Sequence, residues 1–590
     1  MSDFDYPLNT RELYRKKRKI HRELSDRSGL LHKKIAVLGG STTNEVVDQL
    51  DNFLLHHGIS AEFYQSEYGK YWEDATFGNE ILDSFSPEII YIHTNWRNID
   101  IFPKISDSKE VVDSKLEQVF SHYENMWKSI EGKFHCPVIQ NNFDRPNYRL
   151  MGNRDIWDYR GRSNFISRLN QKFYTYAQNH DNFYINDLEY LSADYGLAEW
   201  SSPKYWYLYK SAMCMDAIPY VAKSVADIIK AIYGKNKKVL SLDLDNTLWG
   251  GAIGDDGPEG IKIGRDNSSG QAYTEFQEYC KNLKDIGVVL TVNSKNDSDN
   301  ALSGLTHPDS LLRPDDFVSI KANWEPKNEN LAQTADELDL GTDSFVFVDD
   351  NPAERELIRK QMPEVAVPEV NTVDDYIRVL DHSGYFEPVS ITGEDIRKTD
   401  LYRAKAEASQ AKRTFSDYGK YLDSLQMVAE IAEFRSVYIP RIAQLTNKSN
   451  QFNLTTMRCS DDDIRTMQNS KDYICLYGRL SDKFGDNGLV TVVIGKVNGD
   501  ELDIILWLMS CRVLKRGMED AMMNVLISKA KEMGIVRVHG HYYPTVKNSI
   551  VKDFYGDYGY KKLKEDASGN TEYVIDTEDY KDKILHMKVK

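Results

Sequence analysis

Short apolar runs recur along the first two thirds of the chain. They alternate with stretches in which apolar residues return every three or four positions. A continuous short run reads as a strand buried on both faces, and the three-to-four spacing reads as an amphipathic helix. Residues 35–38, 88–92, 137–141 and 183–187 are predicted strands. Residues 46–55 and 217–233 are predicted helices, the second stopped by Gly234 as a C-cap. Strands separated by helices imply a parallel, doubly wound sheet over 35–234. The pattern restarts at 239–244 and continues with strands at 287–292, 317–320 and 344–348. Helices are predicted at 271–286 and 328–338, which defines a second α/β domain over 235–390. Residues 391–420 are polar and helical in pattern and read as a linker. From 421 to 590 the pattern turns mixed α+β, with strands near 425–433, 474–480, 488–497, 501–509 and 535–540, and helices at 437–446, 515–532 and 545–557. Residues 1–34 form a basic segment, with an exposed helix expected at 8–28.

Composition narrows the classes. At about 150 residues per domain, 590 residues predict about four domains, and three fit as well. A net charge of −17 argues against a nucleic-acid partner, whose phosphates it would repel. The six cysteines include no CxxC pair, and the 13 histidines no HExxH. The N-terminus lacks the apolar core of a signal peptide, and no apolar run is long enough to span a membrane. A cytoplasmic protein is expected.

The chemistry gathers at predicted strand ends. Asp243 and Asp245 close the run 239–244, and two carboxylates there are costly to desolvate without a cation or hydrogen bonds. The plainer reading is a solvated pair that caps the next helix. Ser294, Lys327 and Asp349/Asp350 also follow strands. In a parallel sheet these ends share one edge, so the residues converge.

In the first domain, Gly39-Gly40-Ser41 and Asn95 resemble the first and third blocks of SGNH hydrolases. That family's base, a His three residues after an Asp, is missing. Asp187 is followed by Leu-Glu-Tyr, and no His lies between His180 and His307. A serine without a base is a poor nucleophile. Ser41 is therefore expected to be a helix N-cap in a catalytically degenerate SGNH-like domain. The alternative is a binding pocket that kept the oxyanion-type groups.

Asp243-x-Asp245-x-Thr247, Ser294, Lys327 and Asp349-Asp350 resemble the four motifs of the haloacid dehalogenase (HAD) superfamily. The resemblance implies Asp243 as nucleophile and Asp245 as general acid and base. It implies Thr247, Ser294, Lys295 and Lys327 around the phosphate. Mg²⁺ would be held by Asp243, Asp245 through its carbonyl, and Asp349 or Asp350. The gaps of 51 residues from Asp243 to Ser294 and 33 from Ser294 to Lys327 leave no room for a large cap.

The flanks resemble the FkbH-like subfamily. They include Trp249-Gly250-Gly251, Phe276-Gln277, Ser294-Lys295-Asn296-Asp297, Asn323-Trp324 and Asp349-Asp350-Asn351-Pro352. Residues 444–456, 484–488, Ser510-Cys511-Arg512-Val513 and 543–548 extend the likeness. That resemblance implies a glyceryl transferase–phosphatase. Such an enzyme takes a glyceryl unit from 1,3-bisphosphoglycerate, removes the 3-phosphate and loads an acyl carrier protein as a thioester. Cys511 is then the candidate nucleophile, His541 a candidate base, and Arg512 and Arg516 candidate phosphate ligands. Cys511 is equally legible as a buried core residue, and His541 as a structural one. The last domain resembles the GNAT acyltransferase fold. Its pyrophosphate loop is imperfect, because Gly517 is followed by Met518 and Glu519, and this favours the phosphopantetheine arm of a carrier protein over acetyl-CoA. Two alternatives stand beside this reading. One is a phosphatase of a small sugar or glycerate phosphate fused to a separate acyltransferase, the other a non-catalytic scaffold.

Overall fold

The apolar run at 35–38 sits inside a longer strand, β1 (Leu31–Gly39), of a five-stranded sheet in a computed structural model that describes residues 3–412, 418–449, 451–483, 485–510, 513–545 and 548–590. The chain divides into two compact units, Met1–Ile232 and Tyr233–Lys590. In the first unit, β1, β2 (Ile59–Gln65), β3 (Ile89–His93), β4 (Val138–Asn141) and β5 (Phe183–Asn186) pair in parallel in the order β2-β1-β3-β4-β5. The sequence pattern missed β2. It is an edge strand whose residues are mostly half-buried, so it carries no continuous apolar run. The basic N-terminal helix forms at Thr10–Ser25, with Leu13, Ile20 and Leu24 buried on one face. The helix Ile218–Ile232 differs from the amphipathic expectation. It is buried nearly all round, and Lys223 and Lys230 both form ion pairs with Asp227, at 2.5 and 2.8 Å.

In the second unit, β6 (Val239–Leu242), β7 (Val289–Ser294), β8 (Phe317–Ala322) and β9 (Phe345–Val348) form a parallel sheet in the order β8-β7-β6-β9. The register aligns the strand ends. Leu242 pairs with both Val292 and Val348, so Asp243 and Asp349 leave adjacent strands side by side. The stretch expected as a linker forms the helices Gly393–Ile396 and Lys398–Lys412. Tyr402 and Ala406 of the longer helix join the core with Leu331, Leu338 and Val318.

The remaining strands are β10 (Met427–Glu433), β11 (Phe452–Asn453), β12 (Tyr473–Asp482), β13 (Gly485–Asn498), β14 (Glu501–Met509), β15 (Arg537–Tyr542), β16 (Lys561–Glu565), β17 (Thr571–Asp576) and β18 (Met587–Val589). They order as β16-β17-β15-β14-β13-β12-β10-β18, with β11 paired to β14. The strands β14 and β15 run parallel over only four residue pairs, Glu501–Ile504 against Arg537–Gly540. Beyond that, Phe452 and Asn453 pair with Met509 and Leu508, and Tyr543 N–H donates to Leu454 carbonyl. The segment thus fills the gap where the two strands diverge. Among the described residues, the helix expected at 545–557 is replaced by a single helical turn at Ser549–Val551 and a short helix at Phe554–Asp557. Asn548 is the cause, because its side chain takes the Thr545 N–H and donates to the carbonyls of Asn453 and Tyr543.

Two histidines, the buried His93 and the half-buried His57, make the first unit acid-sensitive. Burial lowers the pKa of His93 to about 4, and burial followed by the charge of Lys230 does the same to His57. The unfolded value is 6.5, so unfolded chains bind the proton first as pH falls. Above pH 6.5 neither residue affects stability. From there to pH 4 each costs up to about 3 kcal/mol. The urea midpoint of this unit, followed by amide exchange, should fall between pH 7 and pH 5, and less steeply in His93→Gln.

Candidate active site

The site is built at the carboxyl edge of the four-stranded sheet. Asp243 follows β6, Ser294 ends β7, Lys327 opens the helix Lys327–Leu338 after β8, and Asp349 and Asp350 follow β9. All four predicted motifs therefore meet at one edge. Lys327 is 2% exposed, and its Nζ lies 2.5 Å from Asp349 Oδ2 and 3.1 Å from Asp243 Oδ2. Burial works against its charge, but the two carboxylates outweigh it and raise its pKa. Ser294, at the end of β7, and Thr247, four residues after Asp243, are both buried. Lys295 is different. Its ammonium reaches outward to Glu354 at 2.6 Å, so an ion pair holds it at the rim.

Asp245 is fixed by three donors. Its Oδ1 accepts from Trp249 Nε1 at 2.8 Å and from Ile253 N–H at 3.2 Å, and its Oδ2 accepts from Asn296 Nδ2 at 3.0 Å. Burial raises its pKa, which favours a protonated acid. The turn that presents it is tight. Asn246 has φ of +54°, and its side chain accepts from Gly251 N–H. Trp249 is fully buried against Gly304, where a Cβ would lie 2.5 Å from the indole. The buried Gln277 donates to Leu248 carbonyl and accepts from Ser310 Oγ and from the N–H groups of Leu311 and Leu312. This accounts for the Trp249 and Phe276-Gln277 flanks as bracing of the acid.

Sequence reasoning missed Arg355. It is 3% exposed and donates to the carbonyls of Asp349 and Asp350, which fixes the turn after β9. The only available signal was its place four residues after Asn351, the N-cap of the helix Pro352–Gln361.

Asp243, Asp349 and Asp350 bring carboxylate oxygens within 4.8 Å of one another, with Lys327 the cation bridging Asp243 and Asp349. Asp243 Oδ1 is buried and has no hydrogen-bond partner. Burial, and then the charge of Asp243, raise the pKa of both Asp349 and Asp350, as expected of negative charge awaiting a counter-ion. An all-oxygen set of this kind fits a hard divalent cation such as Mg²⁺. The side chain of Asp245, with both oxygens engaged, stands outside this cluster.

Other candidates fare unevenly. Ser41 is not a helix N-cap. The helix begins at Asn44, behind Thr43, and Ser41 Oγ is buried without a partner. Asn95 caps its own turn, accepting from Arg97 N–H and donating to Asn98 Oδ1. Arg516 is 7% exposed and bound to Asp482 at 2.5 Å, so its guanidinium is committed to a buried ion pair rather than held for phosphate. His541 lies half-buried on β15, with Nε2 3.4 Å from Asp503 Oδ1. Cys511 and Arg512 lie outside the described residues. The Asn- and Thr-rich stretch closes on itself. Asn453 carbonyl accepts from Asn548, and Asn453 Oδ1 accepts from Thr456 N–H.

Two measurements check this geometry. Mg²⁺ at about 100 times its Kd should stabilise the protein by about 2.7 kcal/mol, read as a rise in melting temperature. An equal rise in the double variant Asp243→Asn/Asp350→Asn would place the ion elsewhere. Gly304→Ala should displace Trp249, free Asp245 from a donor and lower phosphatase turnover by about 10-fold or more, with little change in KM.

Comparison with known proteins agrees with the two α/β sheets. Residues 34–230 match the family model described as FkbH, N-terminal domain. The crystal structure of the N-terminal part of the protein BF1531 from Bacteroides fragilis, containing a phosphatase domain complexed with Mg, is similar at 28% identity. It covers 64% of this chain and 99% of its own, with a TM-score of 0.58. The C-terminal sheet matches the ribosomal-protein-S18-alanine N-acetyltransferase from Escherichia coli at 12% identity, over 25% of this chain and 90% of that one, with a TM-score of 0.20. It matches the PaiA N-acetyltransferase from Thermoplasma acidophilum in complex with coenzyme A at 14% identity, over 25% and 98%, with a TM-score of 0.19. Scores of that size say nothing about ligand or reaction. No curated protein matches significantly. No helix among the described residues is long and apolar enough to cross a membrane. Residues 34–230 thus match the FkbH N-terminal domain model, and the chain is similar in fold to a structure that contains a HAD-like phosphatase domain.

Proposed function

We propose that the protein is a Mg²⁺-dependent glyceryl transferase–phosphatase that loads an acyl carrier protein. The observation that carries the phosphatase part is the buried bridge Asp243–Lys327–Asp349 beside an independently anchored Asp245. Asp243 attacks phosphorus in line. Asp245, whose burial favours its protonated form, gives its proton to the leaving oxygen and later takes one from the attacking water. Lys327 holds the Asp243 carboxylate in place and faces the incoming phosphate, together with Ser294 and Thr247. Mg²⁺, held by Asp243, Asp349 and Asp350, would neutralise charge on the transferring phosphoryl group.

The transferase part rests on the FkbH resemblance. In this reading the Cys511 thiolate attacks the carbonyl carbon of 1,3-bisphosphoglycerate, and the 1-phosphate leaves. The glyceryl thioester then passes to the phosphopantetheine thiol of the carrier, and the 3-phosphate is removed at Asp243. His541 is a base for the thiol steps, and its neighbour Asp503 supports that assignment. The FkbH N-terminal domain supports a carrier-protein partner. The SGNH-like set of that domain is incomplete, which supports a binding role for it.

Intact-mass spectrometry tests the sequence of events. With 1,3-bisphosphoglycerate, Mg²⁺ and a carrier protein, the carrier should gain a glyceryl group. Asp243→Asn should leave the phosphoglyceryl form and lower phosphate release from it by about 10³-fold or more. An adduct on the enzyme that persists in Cys511→Ala would remove Cys511 from the mechanism.

A further inference from the structure

One conspicuous side chain at the site rim takes no part in the chemistry above. Trp324 lies in the loop between β8 and Lys327 and is 71% exposed. An exposed indole is costly in water, and this one is held in place. Its Nε1 donates to Asp297 Oδ1 at 3.0 Å. Asp297 occupies the N-cap of the helix Ser298–Leu305, yet its side chain makes no capping bond there. It holds the tryptophan instead. The loop is pinned as well, because Asn323 Oδ1 accepts from Glu325 N–H at 3.1 Å and from Asn330 Nδ2 at 2.9 Å. Asn323 N–H donates to Ser294 carbonyl.

These contacts tie the indole to the reacting groups. Asp297 N–H donates to Asn296 Oδ1, and Asn296 Nδ2 donates to Asp245 Oδ2. On the other side, Trp324 stands three residues before Lys327, whose Nζ meets Asp243. The indole is therefore held at the carboxyl edge of the sheet, the edge at which the carboxylates and Lys327 also sit. In the phosphatase reading the phosphate is taken by the carboxylate–lysine cluster, so a small phosphate ester offers this ring little to hold. A substrate that continues outward as a chain of amides and methylenes offers more, through dispersion and stacking on the indole face.

We propose that Trp324 is a specificity residue that binds the pantetheine-like arm of a thioester-borne phosphorylated substrate at the phosphatase site. This rests on the phosphatase reading of that site and adds to it the residue that binds the arm of its substrate. The ring holds the arm and does not act on the phosphate.

The test compares 3-phosphoglyceryl pantetheine thioester with free 3-phosphoglycerate in wild type, Trp324→Ala and Trp324→Phe. Trp324→Ala should raise KM for the thioester by about 10-fold, with kcat unchanged, and leave turnover of free 3-phosphoglycerate within about twofold. Trp324→Phe should restore most of the loss. Equal losses on both substrates would mean that Trp324 only props Asp297 and the acid behind it, and would overturn the proposal. An unchanged KM for the thioester would overturn it as well. Calorimetric binding of the same thioester to Asp245→Asn, with and without Trp324→Ala, gives a readout free of turnover. A wild type inactive on both phosphates would defeat the phosphatase reading, and the Trp324-dependent Kd would still decide the proposal.

Discussion

A buried ammonium between two buried carboxylates holds the site together. Lys327 Nζ reaches Asp349 and Asp243, which leave neighbouring strands at matched register. Three carboxylates and one ammonium leave the cluster negative. Such a cluster is costly to bury, and removing one partner would strand charge in a low-dielectric setting. The fold tolerates it because strand ends are the natural place for ligand groups in a parallel sheet, and because a cation can complete it. The unpartnered Asp243 Oδ1 marks where the set is incomplete.

Around that cluster the fold separates two carboxylates that lie two residues apart. Asp243 faces Lys327, while Asp245 is turned aside and fixed by Trp249, Ile253 and Asn296. One carboxylate is paired with an ammonium, and the burial of the other favours a proton. The separation depends on groups that never meet substrate. Gln277 braces the Asp245 turn, Gly304 makes room for the Trp249 ring, and Arg355 ties down the carbonyls of Asp349 and Asp350.

Most of this site was legible in the sequence because strand-end chemistry depends on order along the chain. Four apolar runs, each closed by a polar group, imply one sheet edge. The parts that were not legible depend on contacts without periodicity. The edge strand β2 lacks an apolar run. Asn548 breaks an expected helix by binding backbone from a distant segment. Asp482, which claims Arg516, lies 34 residues away in sequence. Ser41 looked like a helix cap because it sits between a strand and a helix, yet the helix starts three residues later.

Everything proposed for the phosphatase site requires that Asp243 carry the phosphoryl group. Borohydride trapping during turnover of a phosphorylated thioester, followed by tandem mass spectrometry, tests it most directly. An acyl phosphate on Asp243 would be reduced to homoserine at that position, in a Mg²⁺-dependent manner. Reduction at another carboxylate, or none under conditions of active turnover, would contradict it.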